Sequence, residues 1–272
     1  MHPWVRRREN LNYSLELFGG LTREAEALDR RSFLKGVGLA GAGAVAASVL
    51  AGCGGNGTGT GSRQSDQQIL GAAKIAEALA VTMYASFIAS PIYAGLASDD
   101  QAYFNAAMNE EKFHYDLLKA STGGLDAGVN YYFPANTFTD VQTTMNTIVT
   151  LEEAFIAAYM VGCQALSTSS LRLLAAQIMG VEAEHKVLAR EVSAALSLTS
   201  TTGLSGTPEN VSPPNNTVYQ RTFGVSNITV AVTALTPFID ATAAGNAGYT
   251  VHKVFNPAQV ADGTGLVGNP PS

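Results

Sequence analysis

The chain has 272 residues, 46% hydrophobic and 14% charged, enough apolar material for one large or two small domains with a real core. Its formal charge is -6, and residues 1–52 hold seven of the basic and five of the acidic side chains, so the remainder carries nine basic against 17 acidic groups. That balance argues against nucleic acid as a partner.

From the N-terminus, Asp29-Arg30-Arg31-Ser32-Phe33-Leu34-Lys35 precedes a Gly/Ala-rich apolar run over 36–51, the composition of an address rather than of a folded element. It resembles a twin-arginine export signal, with Arg30 and Arg31 as the pair that the export machinery reads. The run is shorter than the roughly 20 residues that a membrane span needs; a true anchor helix is the alternative. Leu50-Ala51-Gly52-Cys53 resembles a bacterial lipobox. That resemblance implies cleavage before Cys53, acylation of its sulfur, attachment to the membrane through the lipid, and a place in the cell envelope or periplasm. Cleavage by ordinary signal peptidase is the competing reading. Residues 1–52 are thus expected to be a signal peptide and 53–66 a flexible Gly/Ser/Thr/Asn tether. The one other cysteine, Cys163, then has no partner within the chain, so an exported domain would depend on packing or metal rather than on a disulfide.

Four helices are predicted within 67–197, each with apolar residues three or four apart. The first presents Leu70, Ala73, Glu77, Val81, Tyr84 and Ile88 on one stripe, and Pro91 bends or ends it. Along the second, Phe104, Met108, Glu111, His114 and Leu118 align, with Ser98 and Gln101 offering a capping box and Gly123-Gly124 a stop. The connection over 123–139 is long for antiparallel neighbours and suits a crossover running along a bundle. Val141, Met145, Ile148, Glu152, Ile156, Tyr159 and Cys163 share a face of the third helix, and Leu171, Leu174, Ile178, Glu182, His185 and Val192 a face of the fourth. The cluster Ser167-Thr168-Ser169-Ser170 supplies the turn between them. From about Leu198 the chain becomes rich in Thr, Asn, Pro and Gly, breaks at Ser212-Pro213-Pro214, and has one substantial apolar element over 227–240, a fifth helix or a strand. His252 and Lys253 read as structural.

The chemistry lies in a repeat. Glu111-Lys-Phe-His114 and Glu182-Ala-Glu-His185 are Glu-x-x-His units, each preceded about one helix earlier by a lone glutamate, Glu77 or Glu152. Residues three apart share a helix face, so the carboxylate and imidazole of each unit can converge on one ion. Of only four histidines, both in the helical region carry Glu three positions earlier. Four carboxylates on inward faces would be costly to bury without compensation, and two divalent cations provide it. Glutamate with imidazole suits iron or manganese, whereas structural zinc would recruit thiolates.

These residues resemble the ferritin-like superfamily of di-metal carboxylate proteins, related to rubrerythrins, which use one Glu from each of two helices and a Glu-x-x-His from each of the others. The similarity is closer to exported bacterial ferritin-like domain proteins, in which the lone glutamate opens a segment ending in tyrosine: Ala76-Glu77 through Tyr84 and Leu151-Glu152 through Tyr159. The resemblance implies an all-α ferritin-like four-helix bundle over 67–197 with a long crossover between helices two and three, and an irregular extension over 198–272. It implies two iron or manganese ions per chain, one held by Glu77, Glu111 and His114 and the other by Glu152, Glu182 and His185, with Glu111 and Glu182 bridging. It further implies ferroxidase or peroxide- or oxygen-reacting oxidoreductase chemistry, with oxygen, peroxide or Fe(II) as the small-molecule substrate, and leaves a homo-oligomer open. A non-catalytic envelope scaffold linked to stress or desiccation is the alternative. Tyr84 and Tyr159 are candidates for hydrogen bonding behind the ligands, with ordinary core tyrosine as the plainer reading. Glu153 is expected to be solvated or to stand behind the ligands, and Glu110 and Glu184 to be surface charges. Ala80 stands where several relatives place a further carboxylate, and no Cys-x-x-Cys electron-transfer module is present.

Overall fold

A computed structural model describes residues 66–123, 129–198, 201–202, 208–209 and 228–255. Arg30, Arg31, Cys53, the tether and the break near Pro213 lie outside the described residues.

The apolar periodicity produces four long helices: α1 (Asp66–Ile88), α3 (Ser98–Thr122), α4 (Val141–Ala165) and α5 (Ser169–Ala195). After α1 comes the single turn α2 (Pro91–Ala94), where Pro91 sits at the first helical position and its missing N–H leaves nothing unsatisfied. The Asp140 side chain caps α4 by accepting from Thr143 N, and Thr168 caps α5 by accepting from Leu171 N, each worth about 1 kcal/mol. The expected capping box at α3 does not form. Ala97 already has the extended backbone of an N-cap, so Ser98 is the first helical residue, and the Gln101 amide donates to Leu96 O at 3.0 Å instead. Asp99 and Asp100 in the first turn complement the positive end of the helix. α3 stops at Gly123, whose φ of 81° a residue with a Cβ adopts only under strain.

Helix direction follows from contacts at one end of the bundle. The Gln67 amide donates to Ser121 O, and Lys74 Nζ donates to Gly123 O, placing the start of α1 beside the end of α3. Asp66 accepts from Ser167 N and from its hydroxyl, bringing the turn between α4 and α5 to the same end. α3 and α4 therefore run in one direction and α1 and α5 in the other, and the chain must travel back along the bundle between α3 and α4. α1 packs on α3, α3 on α5, α5 on α4 and α4 on α1, with the α1–α3 and α4–α5 contacts the most extensive. Neighbours around this ring are antiparallel.

The crossover contains a strand, β1 (Asn130–Pro134), which pairs antiparallel with β4 (Tyr249–Val254) so that Tyr131 faces Lys253 and Tyr132 faces His252. Tyr131 and Phe133 are buried, and the Tyr131 hydroxyl donates to Ile75 O at 3.1 Å, fastening the strand to α1. Beyond the two-residue strands β2 (Thr201–Thr202) and β3 (Pro208–Glu209), the chain forms α6 (Ile228–Ile239) and α7 (Ala241–Ala247) before β4. The extension is therefore regular over its described part. Its apolar element is a helix rather than a strand, with Leu235, Phe238 and Ile239 buried at helical spacing. Phe238 meets Phe133 and Tyr249, with ring centroids 5.9 and 5.0 Å apart, which seats α6 under the two-stranded ribbon. His252 stacks at a tilt on Tyr132 at the surface, a structural role.

α1 and α4 are long and apolar enough to cross a membrane by length and composition, yet 56% and 61% of their apolar windows are buried in the bundle. Each carries a buried glutamate near its middle.

Candidate metal centre

All six predicted side chains meet inside the helix ring. Glu77, Glu111, Glu152 and Glu182 are at most 1% exposed, and His114 and His185 no more than 5%. His114 Nδ1 lies 3.4 Å from Glu77 Oε2, 3.4 Å from Glu182 Oε1 and 3.7 Å from Glu111 Oε2. His185 Nδ1 lies 2.7 Å from Glu111 Oε1, 3.5 Å from Glu182 Oε2 and 3.9 Å from Glu152 Oε1. The donor atoms fall into two groups that could each hold a metal ion, Glu77 with Glu111, His114 and Glu182, and Glu152 with Glu111, Glu182 and His185, the atoms of each within 4.8 Å of one another. Glu111 and Glu182 belong to both. Each of these two carboxylates reaches the histidine of the opposite Glu-x-x-His helix, so neither unit closes on itself.

The donor set is incomplete without a cation. Glu77 Oε2, Glu111 Oε2, Glu152 Oε2, both oxygens of Glu182 and His114 Nδ1 are shielded from solvent and lack a hydrogen-bond partner. Leaving a buried polar atom unsatisfied costs about 1–3 kcal/mol, and more when it is charged. Carboxylate oxygens with imidazole nitrogen, and no thiolate among them, form a set suited to iron or manganese.

Electrostatics keep protons on the site in the absence of metal. Burial, reinforced by the charges of Glu182 and Glu111, pushes the Glu77 carboxyl well above the usual carboxylate range. Burial and then Glu111 and Glu182 do the same to Glu152. For the imidazoles burial opposes the charged form, but Glu77 acting on His114 and Glu111 acting on His185, together with the other carboxylates close to each ring, outweigh it and raise both. Glu111 moves the other way: burial alone would raise it, yet the His185 charge and hydrogen bond, with the His114 imidazole nearby, bring it below its ordinary range.

Tyr84 and Tyr159 are not ordinary core tyrosines. Tyr84 sits on α1 with Glu77, but its hydroxyl donates to Glu152 Oε1 at 2.5 Å, while Tyr159 on α4 donates to Glu77 Oε1. Each tyrosine thus fixes the lone glutamate of the facing helix and leaves that carboxylate's Oε2 aimed inward without a partner. Burial, then the adjacent carboxylate charge, holds both phenols well above their usual range, so they remain neutral donors.

Two expectations are corrected. Glu110 is not a plain surface charge: its Oε2 accepts from His185 Nε2 at 3.1 Å, with 27% of its side chain exposed. A one-helix pattern assigns Glu110 to a face beside Glu111 and carries no sign that it reaches α5. Glu153 is not solvated either. It is buried and accepts from Lys186 Nζ at 2.5 Å, with Arg190 close enough for its charge to be felt. The 100° that separate Glu153 from Glu152 turn it into the broad α4–α5 interface rather than toward water. Glu184 is exposed, as expected. The buried Lys186 was not foreseen; its one sequence signal is its position four residues after Glu182 on an otherwise apolar face.

Residues 65–195, the segment that forms the four long helices, match the family model described as a ferritin-like domain. No curated protein and no solved structure matches the chain. The family match and the paired Glu-x-x-His geometry support one placement: residues 65–195 are similar to the ferritin-like superfamily and hold clustered buried carboxylates and imidazoles able to bind metal.

Proposed function

We propose that the bundle holds two iron or manganese ions and acts as an oxidoreductase toward oxygen or peroxide, in the manner of a ferroxidase or peroxide-detoxifying centre. The observation that carries this reading is the pair of donor groups sharing Glu111 and Glu182, with their remaining oxygens buried and unpartnered. Two divalent ions held there would supply redox chemistry, one electron from each, enough with two protons to reduce dioxygen to hydrogen peroxide.

The chain's own residues set the conditions for that chemistry. Glu77 and Glu152 would each hold an ion through Oε2, while a tyrosine hydroxyl holds Oε1 of the same carboxylate. Glu111 and Glu182 lie between the two groups. Glu110 accepts a hydrogen bond from Nε2 of His185, leaving Nδ1 as the atom facing the cluster, an arrangement that orients an imidazole ligand and raises its basicity. The surrounding apolar helices exclude water and confine reactive products.

The same proposal has the chain exported through the twin-arginine route and tethered by lipid on Cys53, on the strength of Arg30-Arg31 and the Leu50-Ala51-Gly52-Cys53 sequence. Palmitate labelling that survives Cys53→Ser would remove the tether from the reading.

Elemental analysis of the full chain tests the centre. The expected result is two iron or manganese ions per chain, lost in Glu111→Ala/Glu182→Ala, with Fe(II) or peroxide turnover lost alongside. Equal turnover in the double variant and the parent protein would replace the enzyme with a non-catalytic scaffold.

A further inference from the structure

Small residues on facing helices leave space at one end of the bundle. Ala73 and Ala76 on α1 and Ala158 and Gly162 on α4 line a cavity of about 60 Å³, covered on one side by Leu235 of α6. The half-buried alanines of α1 and α4 place its rim at the surface. Its inner wall adjoins the centre on all four long helices. Ala73 precedes Glu77 by four residues, Leu118 follows His114 by four, Ile178 precedes Glu182 by four, and Phe155 follows Glu152 by three, a displacement of one turn or about 6 Å. Among the described lining residues the one polar side chain is Tyr159, and its hydroxyl is bonded to Glu77.

Size and lining select the occupant. A cavity of roughly 150 Å³ is enough for benzene, and a stable internal water needs two to four polar partners. This space is less than half that size, and among its described lining residues the one polar side chain is already engaged. Fe(II) and hydrogen peroxide, both strongly hydrated, gain nothing from apolar walls. A small apolar diatomic fits.

We propose that this cavity takes up dioxygen and delivers it to the carboxylate cluster past Tyr159. The proposal rests on the reading of the cluster as an oxygen-reactive dinuclear centre and names dioxygen as the reactant that enters from this end. It also gives the C-terminal extension a part in the chemistry, since Leu235 helps to close the cavity.

Xenon, an apolar probe of comparable size, reports on the cavity independently of any metal. In the metal-free full chain, a xenon titration followed by methyl NMR is expected to give saturable shifts at Ala76 and Ala158 with little change elsewhere, and the Ala76 shift is expected to disappear in Ala158→Leu. Absence of saturable shifts in the parent protein would overturn the cavity as a gas site. Gly162→Ala serves as the milder second variant, because its added methyl meets Ala175 Cβ at 3.4 Å and Leu166 Cδ1 at 3.6 Å, contacts a helix interface accommodates with little shift. With Fe(II) loaded, both variants should retain two ions and slow oxidation by dioxygen several-fold while leaving oxidation by hydrogen peroxide unchanged. Equal slowing with both oxidants, or with neither, would overturn the delivery route. Xenon uptake without stoichiometric metal would sink the dinuclear centre and oxygen delivery together, whereas two bound ions with no xenon uptake would sink the cavity proposal alone.

Discussion

Single side chains at the centre divide into those that would touch a cation and those that aim them, and the aiming residues give the sharper tests. Glu110 holds His185 through Nε2, the ring nitrogen opposite the one that faces the cluster. Glu110→Gln keeps the size of the side chain and removes the charge, and the expected result is a loss of about 10-fold or more in affinity for the second ion with the fold unchanged. Competitive metal titration measures it, and unchanged affinity would return Glu110 to the surface charge that its sequence position suggests. Tyr84→Phe and Tyr159→Phe each strip a donor from a buried carboxylate. Each should cost the metal-loaded protein about 1–3 kcal/mol in chemical denaturation, where a core tyrosine without a bonded hydroxyl would lose almost nothing. Sequence spacing exposed the six candidate ligands because they repeat at helical intervals on their own helices. It concealed Glu110, the tyrosine crossover and Lys186 because these act between helices, and an inter-helix contact leaves no period in one strand of sequence.

Among the elements, the four long helices were legible for the same reason, and so was the crossover, since 123–139 is too long for a tight turn. The ribbon was not. β1 and β4 are separated by more than 100 residues, and Tyr131-Tyr132-Phe133 has no signal of its own that distinguishes a strand from an apolar loop until Tyr249–Val254 is placed beside it. The start of α3 was misread because Ser98 and Gln101 satisfy the spacing of a capping box while the backbone turns helical one residue earlier than that box requires. At this scale the α4–α5 interface contains the buried pair Glu153–Lys186. Truncating one partner strands the other in an apolar interface, so Lys186→Met should destabilise the bundle by about 3 kcal/mol, less if Arg190 compensates, and Glu153→Leu/Lys186→Met should recover most of the loss. Denaturant midpoints of the two variants and the parent decide it; a double variant weaker than the single would show that the pair contributes net stability.

Across the whole molecule, the centre joins fold stability to pH in opposite senses with and without metal. Without metal, Glu77 and Glu152 keep protons above their ordinary 4.5, and His114 and His185 above their ordinary 6.5. The folded chain therefore binds protons that the unfolded chain has released. For all four groups the stabilisation is complete below the unfolded values and is lost as pH rises through the folded ones. Glu111, lowered in the fold, acts only at the acid end, where stability is lost as pH falls below its ordinary 4.5. Metal-free protein should accordingly show a melting temperature that declines over the interval in which pH rises above the ordinary 4.5 of the glutamates and then the ordinary 6.5 of the histidines. Divalent ions reverse the trend, because they bind the deprotonated donors and release the same protons, so their affinity climbs with pH. The rise in melting temperature on adding Mn(II) should widen across that interval, and calorimetry in buffers of different ionisation enthalpy should register proton release on binding. A metal-induced shift independent of pH, with no protons released, would mean that the ions bind away from the protonated carboxylates and imidazoles, and would separate the metal chemistry from the six side chains that the helices bring together.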